Sequence, residues 1–177
     1  MITVVTGTSD SGKSSLAEDL AVHTGDRYRY YLATMRICDE EGRKRVLKHK
    51  RLREGKGFIT LELERDIGDA AKLIPDPEQA TILLECVANL VGNEMHDDMI
   101  MPDADSVCTG FADRIFSDIK RLAQNVGNMI IVTNEYAERD NGYDDETRLY
   151  VKLLKLVNDR LYEFADEMYD MRKTEEE

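Results

Sequence analysis

The chain of 177 residues carries 24 lysines and arginines against 36 acidic residues, which gives a formal net charge of −12, and 42% of its residues are hydrophobic. This composition is typical of a soluble globular protein, and the excess of negative charge argues against general binding to nucleic acids. No apolar run is long enough to span a membrane, no basic stretch precedes a signal-type apolar segment, and residues 2–5 are too short to be one, so we expect a cytoplasmic protein.

Predicted strands and helices alternate along the chain. Apolar, aromatic-rich or alternating segments predict strands at residues 2–6, 28–34, 58–63, 80–85 and 129–133, and residues 167–171 remain for a last edge strand. Helical spacing of apolar residues or high charge predicts helices at residues 15–24, 39–53, 67–74, 86–95, 104–126 and 146–165, and polar stretches predict loops at residues 95–102 and 138–145. This alternation predicts an α/β fold with a mostly parallel central sheet and helices on both faces. We expect one domain over residues 1–171, followed by an acidic tail at residues 172–177.

A glycine-rich segment after the first predicted strand matches the phosphate-binding pattern G-x-x-x-x-G-K-[ST]. It consists of Gly7, Thr8, Ser9, Asp10, Ser11, Gly12, Lys13 and Ser14. In such a loop, backbone N–H groups and the N-terminus of the next helix hold the phosphates, the lysine reaches the β- and γ-phosphates, and the hydroxyl binds Mg²⁺. The strand before it and the predicted helix after it therefore indicate a nucleotide-binding fold of the P-loop NTPase type.

Glu85 follows three apolar residues, Ile82, Leu83 and Leu84, at the end of a predicted strand. P-loop enzymes place the acid that orders the Mg²⁺ shell at this position, although an ordinary acid at a helix start is the alternative. The carboxyl ends of parallel strands meet at one edge of a sheet, so we expect Gly7, Thr34, Glu85 and residues 134–135 to lie close together. Ser14 and Glu85 are accordingly the predicted ligands of Mg²⁺.

Residues 39–57 form a basic segment in an acidic chain, with eight lysines and arginines and four acidic residues. Near a phosphate loop such a segment would attract an anionic substrate, and it also fits a solvated helix face with ion pairs one turn apart. His49 lies between Lys48 and Lys50, where neighbouring cations favour the neutral and nucleophilic imidazole. From the residues alone, both a nucleophile and a plain surface histidine stay open.

The other metal-ligating residue types are isolated. The cysteines, Cys38, Cys86 and Cys108, form no C-x-x-C pair and no disulfide framework, so we expect reduced thiols and no zinc site. His23, near a predicted helix end, and His96, in a predicted loop, have no partner at ligand spacing, and we interpret both as surface residues.

The order of these segments resembles the adenosylcobinamide kinase/adenosylcobinamide-phosphate guanylyltransferase family, the bifunctional enzymes of cobalamin assembly. The similarity extends from residue 1 to about residue 171, through the segments VVTGTSDSGKSSLAE, YYLATM, RVLKHKRLR, ILLECVANLVGN, IIVTNE and VNDRL. Many families share the phosphate loop alone, whereas the succession ATM, R-V-x-x-H-K, LLEC and VTNE is far more specific.

The resemblance implies two reactions at one site. In the first, ATP or GTP phosphorylates the aminopropanol hydroxyl of adenosylcobinamide. In the second, GTP guanylylates a histidine with release of pyrophosphate, and the GMP passes to the phosphorylated corrinoid to give adenosylcobinamide-GDP. By its place in the motif this histidine is His49, and Lys13 shares the catalytic role. The implied nucleotide contacts are the loop residues Gly7 to Ser14 together with Ala33, Thr34, Met35, Lys50, Arg51, Leu52, Arg53, Glu62 and Glu85. The family also implies a homo-oligomer, a trimer.

The chain departs from the family pattern at several positions. Glu54 stands where the family commonly has proline, Phe58 stands for a tryptophan, and residues 136–143 replace a glycine-containing loop. The last apolar strand of the family is replaced by a polar segment around Asp170. Two alternatives to the bifunctional enzyme therefore stay open: a P-loop kinase of a small molecule without guanylyl transfer, and a non-catalytic protein that binds GTP or ATP.

Overall fold

The computed structural model describes residues 1–98, 105–136 and 142–172. Within these ranges the strands are β1 (Ile2–Thr6), β2 (Tyr28–Ala33), β3 (Phe58–Glu62), β4 (Ala80–Glu85), β5 (Asn128–Val132) and β6 (Glu167–Asp170). The α-helices there are α1 (Lys13–His23), α2 (Glu40–Leu52), α3 (Val87–Asp97), α4 (Asp105–Ala123) and α5 (Asp145–Phe164), and two short 3₁₀ helices cover Ile67–Leu73 and Pro77–Gln79.

The six strands form one sheet in the order β3-β2-β4-β5-β1-β6, and every neighbouring pair in it is parallel. Strands β1, β4 and β5 are buried along almost their whole length, so elements cover the sheet on both faces. These observations confirm the predicted α/β fold with a parallel sheet between helices. The predicted last edge strand is β6, which pairs with β1.

Helices α1 and α2 differ in how they meet the sheet. Helix α1 contacts β1, β4 and β5 and buries Ala17 and Ala21 completely, and these small side chains allow the helix to approach the strands closely. Helix α2 buries only Gly42. Its N-terminus is capped by Asp39, whose carboxylate accepts a hydrogen bond of 2.6 Å from the Gly42 N–H. Among the α-helices, α1, α3, α4 and α5 therefore contribute apolar residues to the core, while α2 is a charged surface helix.

The interpretation of His96 as a loop residue is wrong. Helix α3 extends to Asp97 because Met95, which is only 4% exposed, continues its buried face for another turn. His96 is in this last turn and stays exposed, with Nδ1 at 3.3 Å from Oε1 of Glu146. The predicted loop residues 99–102 and 138–141 and the tail residues 173–177 lie outside the described residues. Among the described helices, none combines the length and the apolar character that crossing a bilayer requires.

Candidate active site

The carboxyl ends of the central strands meet at one edge of the sheet, as predicted. The Thr34 N–H donates to the Glu85 carbonyl at 3.1 Å, which joins the ends of β2 and β4. The Glu135 N–H donates to the Gly7 carbonyl at 3.1 Å, which joins the end of β5 to the loop after β1. The predicted edge residues are therefore neighbours, with the phosphate loop among them.

The phosphate loop has a backbone conformation that requires glycine. Gly7 and Gly12 have φ angles of +152° and +89°. A Cβ on Gly7 would lie 2.9 Å from both the Met171 carbonyl carbon and the Ser11 hydroxyl oxygen, which leaves no room for a side chain. The Ser11 hydroxyl oxygen is buried and has no hydrogen-bond partner among the described residues, so it can bind an anion oxygen.

Lys13, Ser14 and Glu85 come together at the start of α1. The Ser14 hydroxyl donates to Oε1 of Glu85 at 2.8 Å, across the end of β5, which lies between β1 and β4. Lys13 is 7% exposed, and its ammonium group donates to the Thr8 carbonyl inside the loop. Burial lowers the pKa of Lys13, against the opposite effect of Glu85 and other nearby groups. The loop thus holds a buried cation directly beside a hydroxyl–carboxylate pair.

Ser14 and Glu85 fit a magnesium ion. Oε2 of Glu85 is buried and has no hydrogen-bond partner among the residues that the structure describes. Burial raises the pKa of Glu85 to about 7, although the Ser14 hydrogen bond and the Lys13 charge act against this rise. A buried carboxylate that lacks a full set of partners, next to a hydroxyl, is a donor set that a hard divalent cation binds through oxygen.

Thr34 fixes the turn that follows β2. Its hydroxyl donates to the Cys86 carbonyl at 2.8 Å and accepts from the Cys86 N–H at 2.9 Å. Its carbonyl accepts a hydrogen bond of 2.7 Å from the side-chain amide of Asn93. Since these contacts occupy the polar atoms of Thr34, this residue serves mainly to hold the half-buried Ala33 and Met35 at the edge of the site.

The basic segment presents one buried and several exposed groups. Arg53 is 7% exposed, and its guanidinium carbon lies 3.4 Å from the ring centre of Tyr31, which is a cation–π contact. Lys50 forms an exposed ion pair of 3.3 Å with Glu62 on β3. Arg51 and Leu52 are exposed on the outer surface of α2.

His49 is half-buried on the last turn of α2. Burial lowers the pKa of His49, and the charges of Arg53, Lys48 and Arg45 lower it further, while Glu18 raises it. The sequence predicted that the surrounding cations lower the pKa of His49 and so favour the neutral imidazole. The pKa is lowered in the structure as well, but burial is the largest cause. Nδ1 of His49 is buried and has no hydrogen-bond partner in the described ranges.

Glu18 of α1 is 1% exposed and was not among the residues predicted from the sequence. One of its oxygens, Oε2, accepts a hydrogen bond of 2.7 Å from the ammonium group of Lys56. The sequence contained a signal for its burial, because Glu18 follows Ala17 and precedes Ala21 by about one turn, next to the apolar face of the helix. Gly55 and Gly57, both with positive φ, form the turn that carries Lys56.

The chain is similar to a known protein family and to solved structures. A protein-family model described as cobinamide kinase / cobinamide phosphate guanyltransferase matches residues 3–173. No curated protein matches the sequence. Among solved structures, a prototypical ATPase from the type III secretion system of pathogenic bacteria aligns with 96% of this chain and 50% of its own, at 14% identity and a TM-score of 0.56. The flagellar accessory protein FlaH from Methanocaldococcus jannaschii aligns with 96% of this chain and 70% of its own, at 13% identity and a TM-score of 0.48.

The similarity to the secretion ATPase concerns the fold alone, and this chain spans half of the length of that protein. It agrees with a P-loop NTPase fold for the strands and helices described above.

Proposed function

Because this chain belongs to the cobinamide kinase / cobinamide phosphate guanyltransferase family, we propose that it phosphorylates the aminopropanol hydroxyl of adenosylcobinamide and then transfers GMP from GTP to the phosphate so formed. The observation that carries this proposal is the contact of Ser14 with Glu85 beside the buried Lys13, within a loop shaped for phosphate. It provides a cation, a hydroxyl and a carboxylate where a triphosphate would lie.

In the kinase reaction, the phosphate loop holds the triphosphate of ATP or GTP. The Lys13 ammonium offsets the charge on the β- and γ-phosphates, and the Ser11 hydroxyl is available to a phosphate oxygen. Ser14 and Glu85 would hold Mg²⁺, which supplies positive charge to the transferring and leaving oxygens when it is bound. The residues of the chain thus bind and orient the donor. The acceptor hydroxyl attacks the γ-phosphorus, the bond from the γ-phosphorus to the bridging oxygen breaks, ADP or GDP leaves with the electron pair, and the hydroxyl proton passes to solvent.

In the guanylyl reaction, His49 is the proposed acceptor of GMP. Its lowered pKa keeps the imidazole neutral near neutral pH, and a neutral ring nitrogen is a nucleophile. Lys50, Arg51 and Arg53 would offset the charge on the α-phosphate and on the leaving pyrophosphate. The proposed contacts to the rest of the nucleotide are Ala33, Thr34, Met35, Leu52, Glu62 and Glu85.

Two labelled substrates test the two reactions separately. With γ-³²P-labelled ATP or GTP, label should appear in the corrinoid; with α-³²P-labelled GTP, acid-labile label should appear on the protein. His49→Ala should keep the first transfer and lose the second, while the control His23→Ala should keep both. Equal protein label in the wild type and His49→Ala would show that His49 is not the acceptor, and the absence of labelled corrinoid would show that the protein is not this kinase.

One observation also favours a kinase without guanylyl transfer: Lys13, Ser14 and Glu85 form a phosphoryl-transfer set that does not include His49. This second candidate predicts labelled corrinoid from the γ-phosphate and no protein label from the α-phosphate in the wild type. A non-catalytic nucleotide-binding protein predicts GTP binding by calorimetry and no product of either kind.

We also propose that the protein works in the cytoplasm and assembles as a homotrimer. Cys38, Cys86 and Cys108 are free thiols, which fits the reducing cytoplasm where nucleoside triphosphates are available. A homotrimer, implied by the family resemblance, is the assembly we expect, and sedimentation at several concentrations tests it.

A further inference from the structure

Glu18 is a buried carboxylate of which one oxygen is occupied and the other is not. Oε2 accepts the hydrogen bond of 2.7 Å from Lys56, a residue in the turn after α2. Oε1 is also buried, and the described residues offer it no hydrogen-bond partner. A buried carboxylate oxygen without a donor costs free energy, so a donor that becomes available beside it is bound strongly.

His49 has a complementary atom on the last turn of α2, and backbone hydrogen bonds connect this turn to Lys56. The Arg53 N–H donates to the His49 carbonyl at 3.2 Å, and the Lys56 N–H donates to the Arg53 carbonyl at 3.0 Å. Nδ1 of His49 is buried and likewise lacks a partner in the part of the chain that the structure describes. The charge of Glu18 acts on the His49 imidazole, together with Arg45, Lys48 and Arg53 from α2 and its C-terminal end. Glu18 is an acidic group that acts on His49, and it belongs to the helix that starts at the phosphate loop.

We propose that Glu18 is a positioning residue for His49, and that Oε1 of Glu18 accepts a hydrogen bond from Nδ1–H of His49 when nucleotide is bound, which leaves Nε2 to attack the α-phosphorus of GTP. This inference rests on the proposed role of His49. Lys56 fixes the carboxylate through its other oxygen and thereby orients the free one.

The arrangement balances charge through the reaction. As the Nε2–P bond forms, the bond from the α-phosphorus to the oxygen that bridges to the β-phosphate breaks, and pyrophosphate leaves with the electron pair. The imidazole keeps its Nδ1 proton and becomes positively charged, and the Glu18 carboxylate stabilises this charge. When a phosphate oxygen of the phosphorylated corrinoid attacks, the N–P bond breaks and the electron pair returns to Nε2.

The test combines an NMR titration of the His49 imidazole with the rate of protein labelling by α-³²P-labelled GTP, in the wild type and in Glu18→Gln. Removal of the acidic charge should lower the pKa of His49, move the acid limb of the labelling rate to lower pH, and reduce the maximal labelling rate roughly tenfold. Glu18→Asp keeps the charge but withdraws the oxygen by one methylene, so it should keep the His49 pKa near the wild-type value and still slow labelling. A variant that only loses structure would not keep the His49 pKa near the wild-type value while the labelling rate falls.

Asp19→Asn is the matched control, since Asp19 is the next acid on α1, also lies near Lys56 at 3.4 Å and is exposed. It should leave the His49 titration and the labelling rate unchanged. If the wild type is labelled and Glu18→Gln is labelled at the same rate and with the same pH profile, the role of Glu18 is refuted while the proposed function stands. If the wild type is not labelled at all, the proposed guanylyl transfer fails first, and the role of Glu18 fails with it.

Discussion

The phosphate loop and helix α2 are held to the protein by different kinds of contact. Backbone hydrogen bonds fix the loop region between the strand ends, from the Glu135 N–H to the Gly7 carbonyl and from the Met171 N–H to the Thr6 carbonyl. Helix α2 buries only Gly42, and charged side chains hold its C-terminal end. These are Arg53 on the ring of Tyr31 and Lys56 on the carboxylate of Glu18.

This difference separates a preformed site from an adjustable one. Backbone contacts set the loop before any ligand arrives, so the phosphate groups meet a fixed geometry. Side-chain contacts between charged groups can exchange partners when an anionic nucleotide binds, so α2 can bring His49 to it. Changes in the loop should therefore damage both reactions, and changes in α2 should damage guanylyl transfer alone.

The largest effect is expected from Lys13→Ala. Loss of the buried ammonium removes the charge that stabilises the transferring phosphate, and both corrinoid phosphorylation and protein guanylylation should fall by about 100-fold or more. The exposed Lys72→Ala is the control and should leave both rates within about twofold. Normal guanylylation in Lys13→Ala would show that the loop does not serve the second reaction.

Glu85→Gln should also impair both reactions, by about 100-fold, and should at the same time stabilise the fold. Burial raises the pKa of Glu85 from 4.5 to about 7. The folded state therefore binds more protons than the unfolded state between these values, and wild-type stability falls as the pH rises through this window.

Glutamine does not ionise, so Glu85→Gln does not lose stability as the pH rises. Above pH 7 its free energy of unfolding should therefore exceed that of the wild type by on the order of 1–3 kcal/mol. Urea unfolding at about pH 5 and about pH 8 measures the difference, with the exposed Glu62→Gln as a control that should show none. A destabilised Glu85→Gln at the higher pH would contradict the account of this buried carboxylate.

Arg53→Lys tests whether a change at the C-terminal end of α2 impairs guanylyl transfer alone. Lysine keeps the charge but loses the planar contact with Tyr31, which is worth about 1–2 kcal/mol when buried. Guanylylation should slow roughly tenfold while corrinoid phosphorylation stays within about twofold. Tyr31→Phe keeps the ring and should retain both activities. A parallel loss of both activities in Arg53→Lys would mean that α2 and the loop act as one unit.

The smallest effect is expected from Lys50→Ala. Its pair with Glu62 is exposed, with side chains 49% and 69% accessible, so the free energy of unfolding should change by less than about 0.5 kcal/mol. The KM for GTP in guanylylation should still rise by about three- to tenfold, because a cation that faces the nucleotide is lost. Lys44→Ala, on the same helix, should change neither quantity. A large loss of stability would show that α2 depends on this pair.

Local rules decide where the glycine-rich loop and Glu85 stand along the chain, so both can be located from the sequence. A strand, a glycine pattern and a helix follow one another directly, and the apolar run of β4 ends at Glu85. The contact of Glu18 with Lys56 was not predicted, because it depends on tertiary packing that brings the turn after α2 to α1. The extension of α3 over His96 was missed for a similar reason, since the burial of Met95 depends on tertiary packing.

Mapping of the guanylylated residue tests the central claim most directly. The protein is incubated with GTP and Mg²⁺, digested under conditions that keep a phosphoramidate intact, and sequenced by tandem mass spectrometry. The account predicts GMP on His49 in the wild type, and at least about 100-fold less in Lys13→Ala, because the loop must hold the phosphates. GMP on another residue, or none on the protein while the corrinoid acquires GMP, would contradict it.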